Sequence, residues 1–447
     1  MHRSWAILTP LVLAACSGGA DPLPDWARLP SETGPAIESP VEVDLQDGLD
    51  LEEAVTLALR QNPRFQASRL ETNLARARKV IAQTYPYNPE LGIEGGRALP
   101  YGRAEDFASR ISLSHTVELG GKRGYRIAAA EADIERSGYA VADARRLLRA
   151  QVVAQFFEVI FLKQREALAA EKLELARRFL ETSAARLRAR QIAEIEANVV
   201  RLDFNRATTE KEEATRESRI ARAKLAALIG RPDLPEFEVK GDLGVIVVIP
   251  DRERLARAAL EGRPDLHAAR AALRVREKNL DLAGSLAVPD VNAGLFAERE
   301  SLLLDTPTGT LSDRDTVLGV AITIPLPLLN TARGERLEAE IERRRAEFEI
   351  EAVNQEIRRD VELAVARLEA ARSVVESYEK ELNRLAQENV VDIERAYQAG
   401  EVGTLEILRA QEDLTRVREA YLDSQLALRL ALAEIEAAVG RKLSEVK

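Results

Sequence analysis

Side chains able to do chemistry are few in this 447-residue chain, and their spacing argues against catalysis. Of three histidines, His2 stands at the very start, while His115 and His267 are 152 residues apart, so no zinc-ligand spacing is present. Neither a Gly-rich phosphate loop nor a nucleophile elbow occurs. The expectation is a protein that is not an enzyme and uses no cofactor or metal. Cys16, the one cysteine, is the exception. It follows a basic start (His2, Arg3), a short apolar run over residues 5–13 and the small residues Ala14 and Ala15. That order is a secretory leader, residues 1–15. A lone thiol at its end can take a lipid but cannot form a disulfide within the chain. An ordinary leader with a chance cysteine is the bland alternative.

Leu13-Ala14-Ala15-Cys16 resembles the bacterial lipobox, whose cysteine is acylated and becomes the mature N-terminus. Ser17, rather than Asp, follows it; by the same resemblance that favours an outer-membrane, lipid-anchored location. Residues 16–48, with Pro22, Pro24, Pro30, Pro35 and Pro40, read as an extended tether. What must position any function is the body beyond. At 46% hydrophobic and only 4% aromatic, the whole chain has the composition of long helices. The net charge is −10, from 64 basic and 74 acidic residues, which argues against nucleic acid as a partner. No interior run reaches 18 apolar residues, so no helical membrane span is expected.

The body is duplicated: 49–230 is one repeat, 231–250 a linker and 251–447 a second repeat. Gln61-Asn62-Pro63 answers Gly262-Arg263-Pro264, and Ile229-Gly230-Arg231 answers Val439-Gly440-Arg441, 210 residues on. Earlier pairs are offset by only about 200, so residues 299–315 are expected to form an extra loop. Each repeat orders a helix, two strands (about 90–98 and 106–117; about 290–299 and 316–325) and a helical hairpin (about 122–229; about 333–439). The long helices, 122–189 and 333–399, contain no proline. Near 70 residues each, they reach about 100 Å and need partners along their whole length. Val361, Leu368, Val375 and Leu382 supply a heptad seam, as do Val152, Val159, Leu173, Leu180 and Leu187, with Glu166 interrupting the second. A rod-like envelope coiled-coil lipoprotein would satisfy the helices alone.

The strands argue otherwise. Phe107, Ser109, Ile111, Leu113, His115 and Val117 alternate with small or polar residues, as do Leu318, Val320, Ile322 and Ile324 with Gly319, Ala321 and Thr323. Segments of about ten residues, apolar on one face only, are the pattern of membrane barrel strands. Four strands cannot close a barrel, and an open edge cannot face lipid, so several chains must share one.

Together these features resemble the TolC-like outer-membrane efflux proteins over the whole body. The resemblance implies a mainly α fold with a small β part: a long antiparallel α-helical coiled-coil tunnel plus four transmembrane β-strands per chain in a shared 12-strand barrel of a homotrimer. Val117-Glu118-Leu119-Gly120-Gly121-Lys122-Arg123, with Ile324-Pro325-Leu326-Pro327 in the second repeat, resembles the strand–helix junction of the CzcC-like heavy-metal subgroup. It implies a tripartite efflux channel passing cations such as cobalt, zinc or cadmium, with a periplasmic adaptor, an inner-membrane pump and outer-membrane lipid as partners. Drug or protein export on the same fold remains the alternative. Physically, Gly120 and Gly121 let a strand bend into a helix, Pro325 and Pro327 stop the ladder, and Lys122 and Arg123 are expected at headgroup level.

Gly400 is expected to end the last long helix and Thr404 to cap the next, making a hairpin tip in which Val402 and Leu405 are the apolar side chains. By resemblance, Gly400, Val402, Gly403 and Leu405, with Ile192 in the first repeat, form the adaptor-facing tip; a plain turn explains the glycines equally. The resemblance also makes Glu406 and its repeat mate Glu196 candidates for a constriction ring, with Arg409 where the family carries an acid. A solvated helix face is the alternative for either glutamate.

Overall fold

The computed structural model describes residues 48–98, 104–234, 237–245, 248, 251–306, 308–399 and 401–443, all within one compact unit. Cys16 and Gly400, and the expected leader and most of the tether, lie outside the described residues.

Helix α1 (Leu51–Gln61) opens on a capping box: the Asp50 carboxylate accepts the Glu53 N–H at 2.8 Å, and the Glu53 carboxylate accepts the Asp50 N–H at 2.9 Å. Pro63 starts α2 (Pro63–Gln83), where a missing N–H costs nothing, and the Asn62 side chain caps it. Strands β1 (Glu90–Ala98) and β2 (Ala104–Val117) lead into α3 (Lys122–Arg188) and α4 (Glu194–Leu228). The order then recurs: α5 (Arg252–Gly262), α6 (Pro264–Ser285), β3 (Val291–Thr306), β4 (Gly309–Thr323), α7 (Arg333–Ser377), a π-helical segment (Tyr378–Leu382), α8 (Asn383–Ala399) and α9 (Thr404–Val439). At the C-terminus of α4, Gly230 is left-handed, and a Cβ there would fall 2.3 Å from the Gln61 carbonyl oxygen. Its mate Gly440 ends α9 with the same φ of 82°.

The four strands form one antiparallel sheet in the order β1-β2-β3-β4, so the repeats join through β2 and β3. Residues 299–315 are no extra loop. Pairing continues from Arg299↔Thr316 to Thr306↔Gly309, so the length difference is taken up by a longer β-hairpin. The helices follow the sheet: α3 packs on α2 and α6, and α6 packs on α7.

Two apolar cores fill the middle of the body. One gathers Leu49, Val152, Phe156, Ile160, Leu225 and Leu243; the other Leu255, Leu266, Ile357, Val361, Leu368 and Ile435. The second seam holds through Val375 and then fails, because Leu382 is exposed. The π segment is the reason: its extra residue per turn rotates everything downstream by about 100° relative to the seam.

Candidate channel surfaces

Register puts the sheet's side chains into two unlike faces. Leu91, Leu113, Leu295 and Val320 lie in one cross-strand row, and Ile93, Ile111, Ala297 and Leu318 in the next. Leu113 is 53% and Val320 67% exposed, so among the described residues nothing covers this face. Ile322 shares it, as the alternation predicts. Rows of the other face are mainly small or charged, with Phe296 and Val317 as apolar exceptions: Gly92, Ser112, Phe296 and Gly319, then Glu94, Arg110, Glu298 and Val317. Gly319 leaves room for the Phe296 ring, which a Cβ would meet at 2.4 Å, and the Arg110 guanidinium sits 4.1 Å from that ring's centre. Among the described residues, no helix is long and apolar enough to cross a membrane.

At the junction below the sheet, Gly120 and Gly121 have φ of 73° and 74°, the left-handed backbone that turns β2 into α3. Of the two basic residues expected at headgroup level, Arg123 is exposed and Lys122 is not. Lys122 is buried, with its ammonium 2.6 Å from the Asp290 carboxylate at the foot of β3. Asp290 also accepts the Tyr87 hydroxyl (3.1 Å) and the Leu119 N–H (3.2 Å). Burial opposes its charge, but Lys122 and Leu119 together hold the Asp290 carboxyl below the usual carboxylate range. Arg123 donates to the Gln83 carbonyl at 2.7 Å, and Arg126 forks onto Glu118 at 2.5 and 2.9 Å. In the second repeat the ladder ends at Thr323, just before Pro325 and Pro327, and Leu326, Leu328 and Leu329 are exposed.

The two hairpin tips share one turn. Gln191 N–H donates to Arg186 O, and Glu401 N–H to Ala396 O, each at 2.9 Å. Lacking glycine, the first tip places Arg190, repeat mate of Gly400, in the left-handed region at φ 58°. Thr404 is not the cap of α9. Gly403 takes the cap position, and Thr404 is buried in the first turn, its hydroxyl donating to the Glu196 carboxylate at 3.1 Å. The reason is that Glu406 already closes the turn, accepting the Gly403 N–H at 3.1 Å. Glu196 does the same for Ala193 at 3.5 Å, so the two repeat mates occupy equivalent third positions in their helices.

Below the turns Phe179, Val200, Tyr397 and Ile407 form a small core joining both hairpins, and Val402 packs on it. Val402 and Leu405 are therefore not an exposed pair. Among the described residues of the two first turns, Leu405 (49%) and Ile195 (73%), second residues of α9 and α4, are the large exposed apolar side chains. The sequence reading passed over Ile195, although the 210-residue offset names it as the mate of Leu405. Ile192 is half-buried; Glu406 and Arg409 are exposed.

Comparison with known proteins agrees with this geometry. The chain is 29% identical over 401 residues to the cobalt-zinc-cadmium resistance protein CzcC of Cupriavidus metallidurans, covering 89% of this chain and 92% of that one. The solved structure of CusC, described as forming a transmembrane channel, superposes with a TM-score of 0.69 at 17% identity, over 88% of this chain and 93% of that one. The open-state MtrE outer membrane channel of Neisseria gonorrhoeae gives 0.68 at 21% identity, over 88% and 89%. The sequence pattern of the outer membrane efflux protein family matches residues 54–231 and again 255–441, and the chain belongs to that family.

Proposed function

We propose that three copies of this chain close one outer-membrane channel, the exit duct of a tripartite efflux system whose cargo is heavy-metal cations. The observation that carries the reading is the sheet: four strands, one apolar and one polar face, and edges on β1 and β4 that no other described strand pairs. Lipid has no hydrogen bonds for those edges, so they must pair with another copy. Joined β4 to β1, three sheets give 12 strands, enough to enclose an aqueous lumen on the polar face. The flanking helices support the same ring. Helix α2 exposes Leu70, Leu74 and Ile81, and α7 exposes Leu337, Ile341 and Phe348, two apolar stripes at the same two edges as β1 and β4. A head-to-tail contact of this kind forms a ring when its rotation closes.

The long hairpins would carry the lumen through the periplasm to a tip where Leu405 and Ile195 meet an adaptor protein linked to an inner-membrane pump. Heavy metal as cargo rests on the relative named for cobalt, zinc and cadmium resistance and on the Gly120-Gly121-Lys122-Arg123 junction. Cys16 would anchor the tether in the outer membrane.

Deleting the gene and measuring cell-associated cobalt, zinc and cadmium tests the cargo. Metal accumulation reversed by the wild-type gene, with dye and drug retention unchanged, supports it; dye retention with unchanged metal would assign the channel to drug export. Labelled fatty acid should appear on the wild type and vanish in Cys16→Ser, and label kept by the variant would remove the lipid anchor.

A further inference from the structure

Where the two repeats meet, α3, the start of α6 and the end of α9 surround a cleft of about 260 Å³. Its walls carry five cations, Arg145, Arg146, Arg149, Arg441 and Lys442, against one carboxylate, Glu436. Three of the five have acidic partners. Arg146 lies 2.7 Å from Asp143 and 4.0 Å from Asp265. Arg149 and Lys442 both bond the Glu52 carboxylate, at 3.0 and 2.9 Å. Glu436 accepts the Leu443 N–H at 3.1 Å. At the end of α9 the Ala437 carbonyl accepts from Arg146 at 2.6 Å. Among the described residues, Arg145 and Arg441 form no ion pair, and with Glu52, Asp143 and Asp265 included the cations still outnumber the acids.

Like charges gathered in a cleft repel unless an anion joins them. We propose that this cleft binds a small, doubly charged oxyanion of the phosphate type, held chiefly by Arg145 and Arg441. Guanidinium forks match the paired oxygens of such an anion, and two unpaired guanidiniums match two charges. A water molecule's share of liquid volume is about 30 Å³, so the cleft holds the anion with part of its hydration shell. Bound there, the anion would tie α3 of the first repeat to the chain's last turn in the second. It would therefore stabilise the joint between repeats, whatever cargo passes.

The full chain, purified in detergent, would be titrated with inorganic phosphate at constant ionic strength with chloride as control. Calorimetry should give saturable binding, and the unfolding temperature should rise with phosphate but not with chloride. Arg145→Ala and Arg441→Ala should each weaken binding at least tenfold, and the double variant should abolish it. Arg177→Ala, on an exposed part of α3 away from the cleft, should bind as wild type. Arg145 and Arg441 are both exposed, so folding should survive their loss. No saturable binding up to about 10 mM, weaker than the millimolar end of specific affinities, or unchanged binding in the double variant, would overturn the proposal.

Discussion

Replacing Leu113 by Arg puts a charge in the middle of the apolar face, between Leu91 and Leu295 in register and with Ile111 two residues along the strand. At the bilayer midplane of a barrel such a charge costs about 2–4 kcal/mol per chain. At 1.4 kcal/mol per tenfold, that is a roughly 30- to 700-fold loss in the insertion equilibrium. The neighbouring change, Ser112→Arg, adds the same charge one residue away but on the other face, in the row of Gly92, Phe296 and Gly319 and beside Arg110. It should cost little, because in the proposed barrel that face lines the aqueous lumen. Outer-membrane abundance of the two variants, and their urea midpoints after refolding into vesicles, read the difference directly. Equal damage from both, or greater damage from Ser112→Arg, would show that the face assignment is inverted.

Three further outcomes follow from the periplasmic part. Leu405→Asp, and Ile195→Asp at the other tip, should abolish export while leaving assembly and membrane insertion intact; retained resistance in both would remove the tips from adaptor docking. Glu406→Gln keeps an oxygen for the Gly403 N–H, so the cap survives and only charge is lost; cation preference and block by multivalent cations should fall in bilayer conductance, and unchanged values would leave Glu406 as a capping residue alone. Arg149, with Lys442 beside it, lowers the Glu52 carboxyl from the ordinary 4.5 to about 2, so the stability this group adds is complete above pH 4.5 and is lost as pH falls through 2. Glu52→Gln should flatten that part of the unfolding-temperature profile, and an unchanged slope would show that Glu52 is not the group responsible.

Local signals carried most of the fold. Absence of proline and a heptad broken only at Glu166 mark α3, and Asn62-Pro63 and Arg263-Pro264 mark true helix starts, because each depends only on neighbours in sequence. Strand alternation likewise fixes which side chains share a face. What escaped the sequence depends on residues far apart. Lys122 meets Asp290 across 168 positions and Thr404 meets Glu196 across 208, and only the packed repeats bring those pairs together. The π segment escaped for another reason: Tyr378–Leu382 continues the helical composition on either side, and one extra residue in a turn leaves no mark on hydrophobic period until the seam fails.

The central claim is that this sheet is one third of a closed barrel. Native mass spectrometry of the full chain released from the outer membrane in detergent measures that stoichiometry without reference to cargo or partners. Three chains per particle is the predicted result, with no stable monomer in the membrane fraction. A monomer or dimer as the only inserted species would leave β1 and β4 unpaired in lipid and contradict the account.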